Sequence, residues 1–160
     1  MKLLKPRIQP VQKNELTSEQ RELLDQLGQS GRLNVFRTLI RYPKLFQRFL
    51  VFGRYVLEES TLPSRDRELL ILRIIKGPNA KGWSSFDAAL LRAVDELHED
   101  MFISDSTWDA LAKRYTEQQL VDLVFTVGMY SLVSMVLNSI GVQLDEGVAG
   151  FPKQDSARVD

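Results

Sequence analysis

The sequence predicts an all-α protein, a compact single-domain bundle of about seven helices whose spine is a long apolar helix near the C-terminal end. Three observations carry this. Apolar residues recur at helical spacing through most of the 160 residues. Capping residues and prolines punctuate them at intervals of a helix's length. No stretch combines period-two alternation with the turn residues that a sheet needs.

Residues 1–13 carry two prolines and no periodicity, and read as an N-terminal arm. Thr17 with Gln20 is a capping box that opens a short helix stopping at Gly28. Asn34 is the expected cap of a second helix, with Val35, Leu39 and Ile40 on its apolar face, ending before Pro43. Pro43 suits the first position of a third, where its missing N–H would be unpaired anyway. That helix carries Leu45, Phe46, Phe49, Leu50, Phe52, Val56 and Leu57, a face wide enough to be buried on more than one side. Pro63 opens a fourth helix, RDRELLILRIIK, and the GPNAKG stretch after it is a loop by its punctuation. Ser84 with Asp87 opens a fifth helix, with Phe86, Leu90, Ala93, Val94 and Leu97 on one face. Ser104 or Asp105 opens a sixth. Thr116 with Gln119 is a second capping box, and the longest helix runs from it to Gly141. Asp122, Thr126, Ser131, Ser134 and Asn138 interrupt that helix, which favours a core helix over a membrane span because a charge near a bilayer centre is costly. Residues 148–160 read as a loose tail. The whole chain, 1–160, is expected to form one domain around one core.

Composition narrows the functions. Lys plus Arg is 21 and Asp plus Glu is 21, so there is no basic excess to neutralise nucleic-acid phosphates or an anionic membrane. A net charge near zero also lowers self-repulsion and favours self-association. There is no cysteine, which removes disulfides, thiolate metal sites and thiol nucleophiles. The N-terminal MKLLKPRIQP has no apolar run of a secretory signal, and a cytoplasmic location is expected.

Five blocks stand in order along the chain: NVFRTLIRYPKL, S-x-L-P-x-R-D-R-E-L-L-I-L-R, FDAALLRAVDELH, ISDSTWDALAKRY and QLVDLVFTVGMYSLVSMVLNSIGVQLD. Together, from about Asn34 to Pro152, they resemble the carboxymuconolactone decarboxylase branch of the alkylhydroperoxidase D-like superfamily. The resemblance implies an all-α fold, assembly into trimers or hexamers through apolar helical faces, and peroxidase- or decarboxylase-like chemistry on a small organic substrate. It also implies a reactive cysteine and a histidine on a segment that follows the R-E-L-L-I-L-R helix. Here Leu72-Arg73 runs directly into Ile74-Ile75-Lys76-Gly77-Pro78. About thirty residues, roughly two average helices, have no counterpart. The thiolate and its activating base are absent with them.

Glu68 matches the glutamate of the family's proton relay and is the catalytic candidate. A carboxylate with a tuned pKa can serve as general acid or base. In the first turn of a helix, beside Arg65 and Arg67, it also reads as a dipole-favoured surface charge. His98, the only histidine, sits in the last turn of its helix, where a cation suits the dipole. Asp95, Glu96, Glu99 and Asp100 form an acidic cluster that reads as a solvated face, not a calcium loop. No metal and no cofactor are expected. The junction around Lys113 to Thr116 lacks the basic second helix of a DNA reader. Gly128, inside the long helix, suggests close helix packing or access to a cavity. The expected function is therefore a catalytically degenerate carboxymuconolactone decarboxylase-like protein. The alternatives are an active enzyme, if the junction from Leu72 to Gly77 hides an omitted segment, and a non-catalytic homo-oligomer that binds a small organic acid.

Overall fold

In the computed structural model, residues 3–76 and 83–148 are described; the predicted GPNAKG loop and residues 149–160 of the predicted tail lie outside them. In chain order the helices are α1 (Ser18–Asp25), α2 (Asn34–Leu39), α3 (Pro43–Arg54), α4 (Ser64–Lys76), α5 (Ser85–Glu99), α6 (Asp105–Ala112) and α7 (Glu117–Ile140). There is no strand among the described residues, so the all-α expectation holds.

Local chemistry sets most boundaries. The Thr17 hydroxyl accepts from Gln20 N–H while the Gln20 side-chain Oε1 accepts from Thr17 N–H, which satisfies two otherwise orphaned donors at the start of α1. Thr116 and Gln119 repeat the arrangement at α7. Ser84 Oγ accepts from Asp87 N–H at α5. Pro43 is the first residue of α3. Pro63 stands just outside α4, its carbonyl accepting from Arg67 N–H. Gly141 ends α7 in the left-handed region at φ 72°, which favours glycine over residues with a Cβ.

Three expectations are corrected. Asn34 does not cap α2: it lies inside the helix, its N–H donates to Asp145 Oδ1 at 2.8 Å, and its amide reaches the carbonyls of Gln143 and Leu144. A residue distant in sequence has taken the capping role, which no local pattern reveals. The third helix does not stay α-helical through Leu57; it widens at Tyr55–Glu59 into a π-helical turn. The N-terminal arm is tied down over residues 3–13. Arg7 N–H and Ile8 N–H donate to Ile140 O, Arg7 Nη1 donates to Ser139 O, and Val11 is buried.

The third correction concerns the core, which among the described residues is not one cluster but two. The larger is built on α4, α5, α6 and α7 around Leu70, Leu90, Leu111 and Leu123, all fully buried. The smaller joins Val11 to Leu24, Ile40 and Phe46 of α1–α3. Phe52 of α3 meets Phe125 of α7 edge to face at 6.1 Å, and a Cβ at Gly53 would lie 3.1 Å from Met129 Cε. These contacts hold the two halves together.

Candidate functional site

α4 begins at Ser64, so Asp66 lies in its first turn and the predicted Glu68 just past it, not within that turn. Asp66 turns inward, 1% exposed, and accepts a 2.7 Å hydrogen bond from Tyr115 Oη. Arg65 reaches α5, donating to both oxygens of Asp87 at 2.7 and 3.1 Å, and to Asp66 at 3.3 Å. The Arg65 guanidinium beside it holds the Asp87 carboxyl down to about 2, against the opposing effect of burial. Burial first, and then the Asp66 carboxylate, push the Tyr115 phenol far above its ordinary range. Phe86 packs edge-on to Tyr115 at 5.1 Å, and the Arg114 guanidinium lies 4.4 Å over the Phe86 ring. Each polar group in this network has a partner, and such a network locks α4 to α5 and to the segment before α7. Glu68 points the other way: it is exposed and makes no side-chain hydrogen bond or ion pair among the described residues.

A second carboxylate is buried inside the long helix. Asp122 accepts from Tyr55 Oη at 2.6 Å and from the N–H and hydroxyl of Thr61 at 2.7 Å each. Burial pushes its pKa up, but these donors outweigh burial and leave it lowered. The π-helical turn is what brings Tyr55 and Thr61 to one carboxylate.

The acidic cluster of α5 is only partly a solvated face. Asp95 pairs with Arg73 of α4 at 2.8 and 2.5 Å, and Glu96 accepts from Ser104 N–H, Ser104 Oγ and Thr107 Oγ1 at 2.8–2.9 Å. Glu99 and Asp100 are exposed, as expected. Glu96 fixes the turn into α6, and its donors hold its pKa down despite burial.

Between α5 and α7 lies a cleft of about 310 Å³. Leu97 and His98 come from α5, Met101 from the turn after it, and Val124, Gly128 and Met135 from α7. A Cβ at Gly128 would meet nothing within 4 Å among the described residues, so close packing does not explain the glycine, which stands on the wall of the cleft. Met101 holds φ 58°, an uncommon conformation for a residue with a Cβ, and is 73% exposed at the cleft. His98 is therefore at a cleft and not simply at a helix end. Glu68 does not line it.

Asp66, Asp87 and Tyr115 were not legible as a group, because their partners lie 22 and 49 residues apart. Asp122 carried a signal: a lone carboxylate in an apolar helix has to find donors.

No family model matches the chain, and no curated protein matches it. Solved structures do. An uncharacterised peroxidase-related protein from Ralstonia eutropha JMP134, described as an alkylhydroperoxidase AhpD core, superposes with a TM-score of 0.72 at 16% identity, over 88% of this chain and 93% of that one. A protein of unknown function from Agrobacterium tumefaciens, grouped with AhpD antioxidant-defence proteins, gives 0.56 at 17% identity, over 67% of this chain and 94% of that one. At these identities the likeness is one of fold, and the chain adopts the alkylhydroperoxidase D-like fold.

Proposed function

We propose that this is a carboxymuconolactone decarboxylase-like protein that has lost thiol chemistry and acts as a non-catalytic, cytoplasmic binder of a small organic acid. The observation that supports it best is the cleft between α5 and α7. Its volume of about 310 Å³ is at the lower end for small-molecule sites, its walls are largely apolar, and His98 offers it an imidazole donor for a carboxylate. No cysteine exists to reduce a peroxide, and α4 passes through Leu72 and Arg73 to Lys76 without interruption. Glu68 is then the remnant of a proton relay that has no nucleophile to serve.

A thermal-shift titration with benzoate tests the binding. Stabilisation that disappears in Gly128→Phe, whose ring fills the cleft, is the expected result. No shift in the parent chain, or an equal shift in the variant, overturns the reading. Purified protein is also expected to show no dithiol-dependent peroxide reduction. Robust turnover would sink the degenerate assignment and direct attention to Glu68→Gln. The active alternative needs a transcript that carries a further segment between Leu72 and Gly77, and sequencing the transcript across that junction decides it.

Self-association is proposed on a separate observation. Val121, Phe125, Leu132 and Met135 are each about half exposed and fall on one stripe of α7, with a spacing of four, seven and three residues. A homo-oligomer, a trimer or hexamer by the resemblance, would cover that stripe.

A further inference from the structure

A larger cleft, of about 900 Å³, lies among the N-terminal segment, α1 and the 3-10 turn Gly28–Arg32. Its shape starts from one glycine. A Cβ at Gly31 would fall 2.2 Å from Leu24 O, so only glycine lets the turn fold back onto the end of α1. That fold-back forms a wall with Arg32 on it, next to Arg21 of α1. The opposite wall is fixed from α2: Arg37 donates through Nε and Nη2 to Val11 O at 2.9 and 2.7 Å, and through Nη2 to Gln12 Oε1 at 3.3 Å. Gln12 and Lys13 are held at the cleft in this way, and Leu16 and Leu24 give it an apolar floor.

The charge lining this cleft is one-sided. Lys13, Arg21, Arg32 and Arg37 face a single carboxylate, Asp25, in a chain whose formal charge is zero. Elsewhere in the fold arginines find acids: Arg54 with Glu59, Arg65 with Asp87, Arg73 with Asp95. Among the described residues Lys13, Arg21 and Arg32 make neither an ion pair nor a side-chain hydrogen bond. Gathering like charges in a concave surface raises the local potential and draws in counter-charge. Guanidinium groups satisfy it best with the paired oxygens of phosphate or carboxylate.

We infer that this cleft is a binding site for a small multivalent anion, a compound carrying two or more phosphate or carboxylate groups. Arg21, Arg32 and Lys13 neutralise the anionic groups, and Arg37 positions the Lys13 wall. Leu16 and Leu24 contact the carbon skeleton. Asp25 repels a fully charged neighbour and so sets where the less charged end of the ligand lies. This chemistry differs from that of the α5–α7 cleft, whose side-chain donors are one imidazole, His98, and one hydroxyl, Ser131, with no fixed cation, and suit a single carboxylate.

Isothermal titration of the full chain with inorganic triphosphate, with citrate, and with benzoate as the singly charged reference tests the site. Triphosphate or citrate, or both, bind, and their affinity falls as sodium chloride is raised. Triphosphate alone identifies a phosphate ligand, citrate alone a polycarboxylate. The pair Arg21→Glu with Arg32→Glu weakens the interaction by about tenfold or more, the scale of one or two lost charge-assisted hydrogen bonds. Lys113→Glu, an exposed charge change outside the cleft, leaves it unaltered. Both arginines are exposed, so the fold tolerates the reversal; the milder pair Arg21→Gln with Arg32→Gln gives a smaller loss in the same direction. Absence of heat with both multivalent probes overturns the inference. So does equal weakening by Lys113→Glu, or binding indifferent to the arginine changes.

Discussion

Three aspartates decide much at the scale of single residues. Asp66, Asp87 and Asp122 are all buried, and each accepts hydrogen bonds that offset the cost of burying a polar group. Asp87 has the clearest pH signature. Its folded pKa of about 2 lies below the ordinary 3.8, so its stabilisation is complete above about pH 4 and is lost as the pH falls from 4 to 2. With Arg65 largely solvated, the contribution is discounted to about 1 kcal/mol. Urea unfolding should show a fall in midpoint across that window, and Asp87→Asn should flatten it. Asp122→Ala orphans Thr61 N–H and two hydroxyls, and is expected to cost about 2–3 kcal/mol. A calorimetric loss below about half of that would mean water replaces the carboxylate. The sequence shows Asp122 only as an interruption in an apolar helix and Asp87 only as part of a helix start, and it does not single out Asp66. The carboxylate's neighbours are brought to it by folding, and single-residue chemistry does not encode who they are.

Helix starts were legible because their signals are local. Thr17 with Gln20, Thr116 with Gln119 and Ser84 act within one turn, and each was read from spacing alone. Asn34 failed for the opposite reason, since its helix is capped by Asp145, 111 residues away. The π-helical turn at Tyr55–Glu59 was also invisible, because the pull of Asp122 on Tyr55 and Thr61 is tertiary. Within α7, Gly128 is an element-scale test of the cleft. A methyl group there meets no atom within 4 Å, so Gly128→Ala should raise stability by about 0.5–1 kcal/mol through helix propensity. Destabilisation on thermal melting would instead place a second helix, from another copy, against this position.

At the scale of the molecule the fold was readable and the site was not. Five blocks in order were enough to suggest the architecture, while identity to structures of the same fold is only 16–17%. A fold depends on where apolar residues fall, which many sequences share; a site depends on particular groups, here a cysteine, which the sequence lacks, and a histidine on the segment after α4, which has no counterpart. The apolar stripe of α7 predicts a solution mass that is a multiple of the monomer. Val121→Glu with Met135→Glu is expected to shift light scattering toward the monomer, and a parent chain already monomeric removes the prediction. The tie between the N-terminal segment and the end of α7 bears on how the protein folds. Arg7 and Leu3 find their partners at Ser139, Ile140 and Gln143, contacts that span up to 140 residues. Gly141 adds to the seam, since the Leu3 side chain lies 3.0 Å from where its Cβ would be. Joining these two segments closes a loop of up to 140 residues, and the entropy of that closure is met before the hydrogen bonds of the seam repay it. Docking of the seam is therefore expected to be a late step in folding, after helices that need only local contacts.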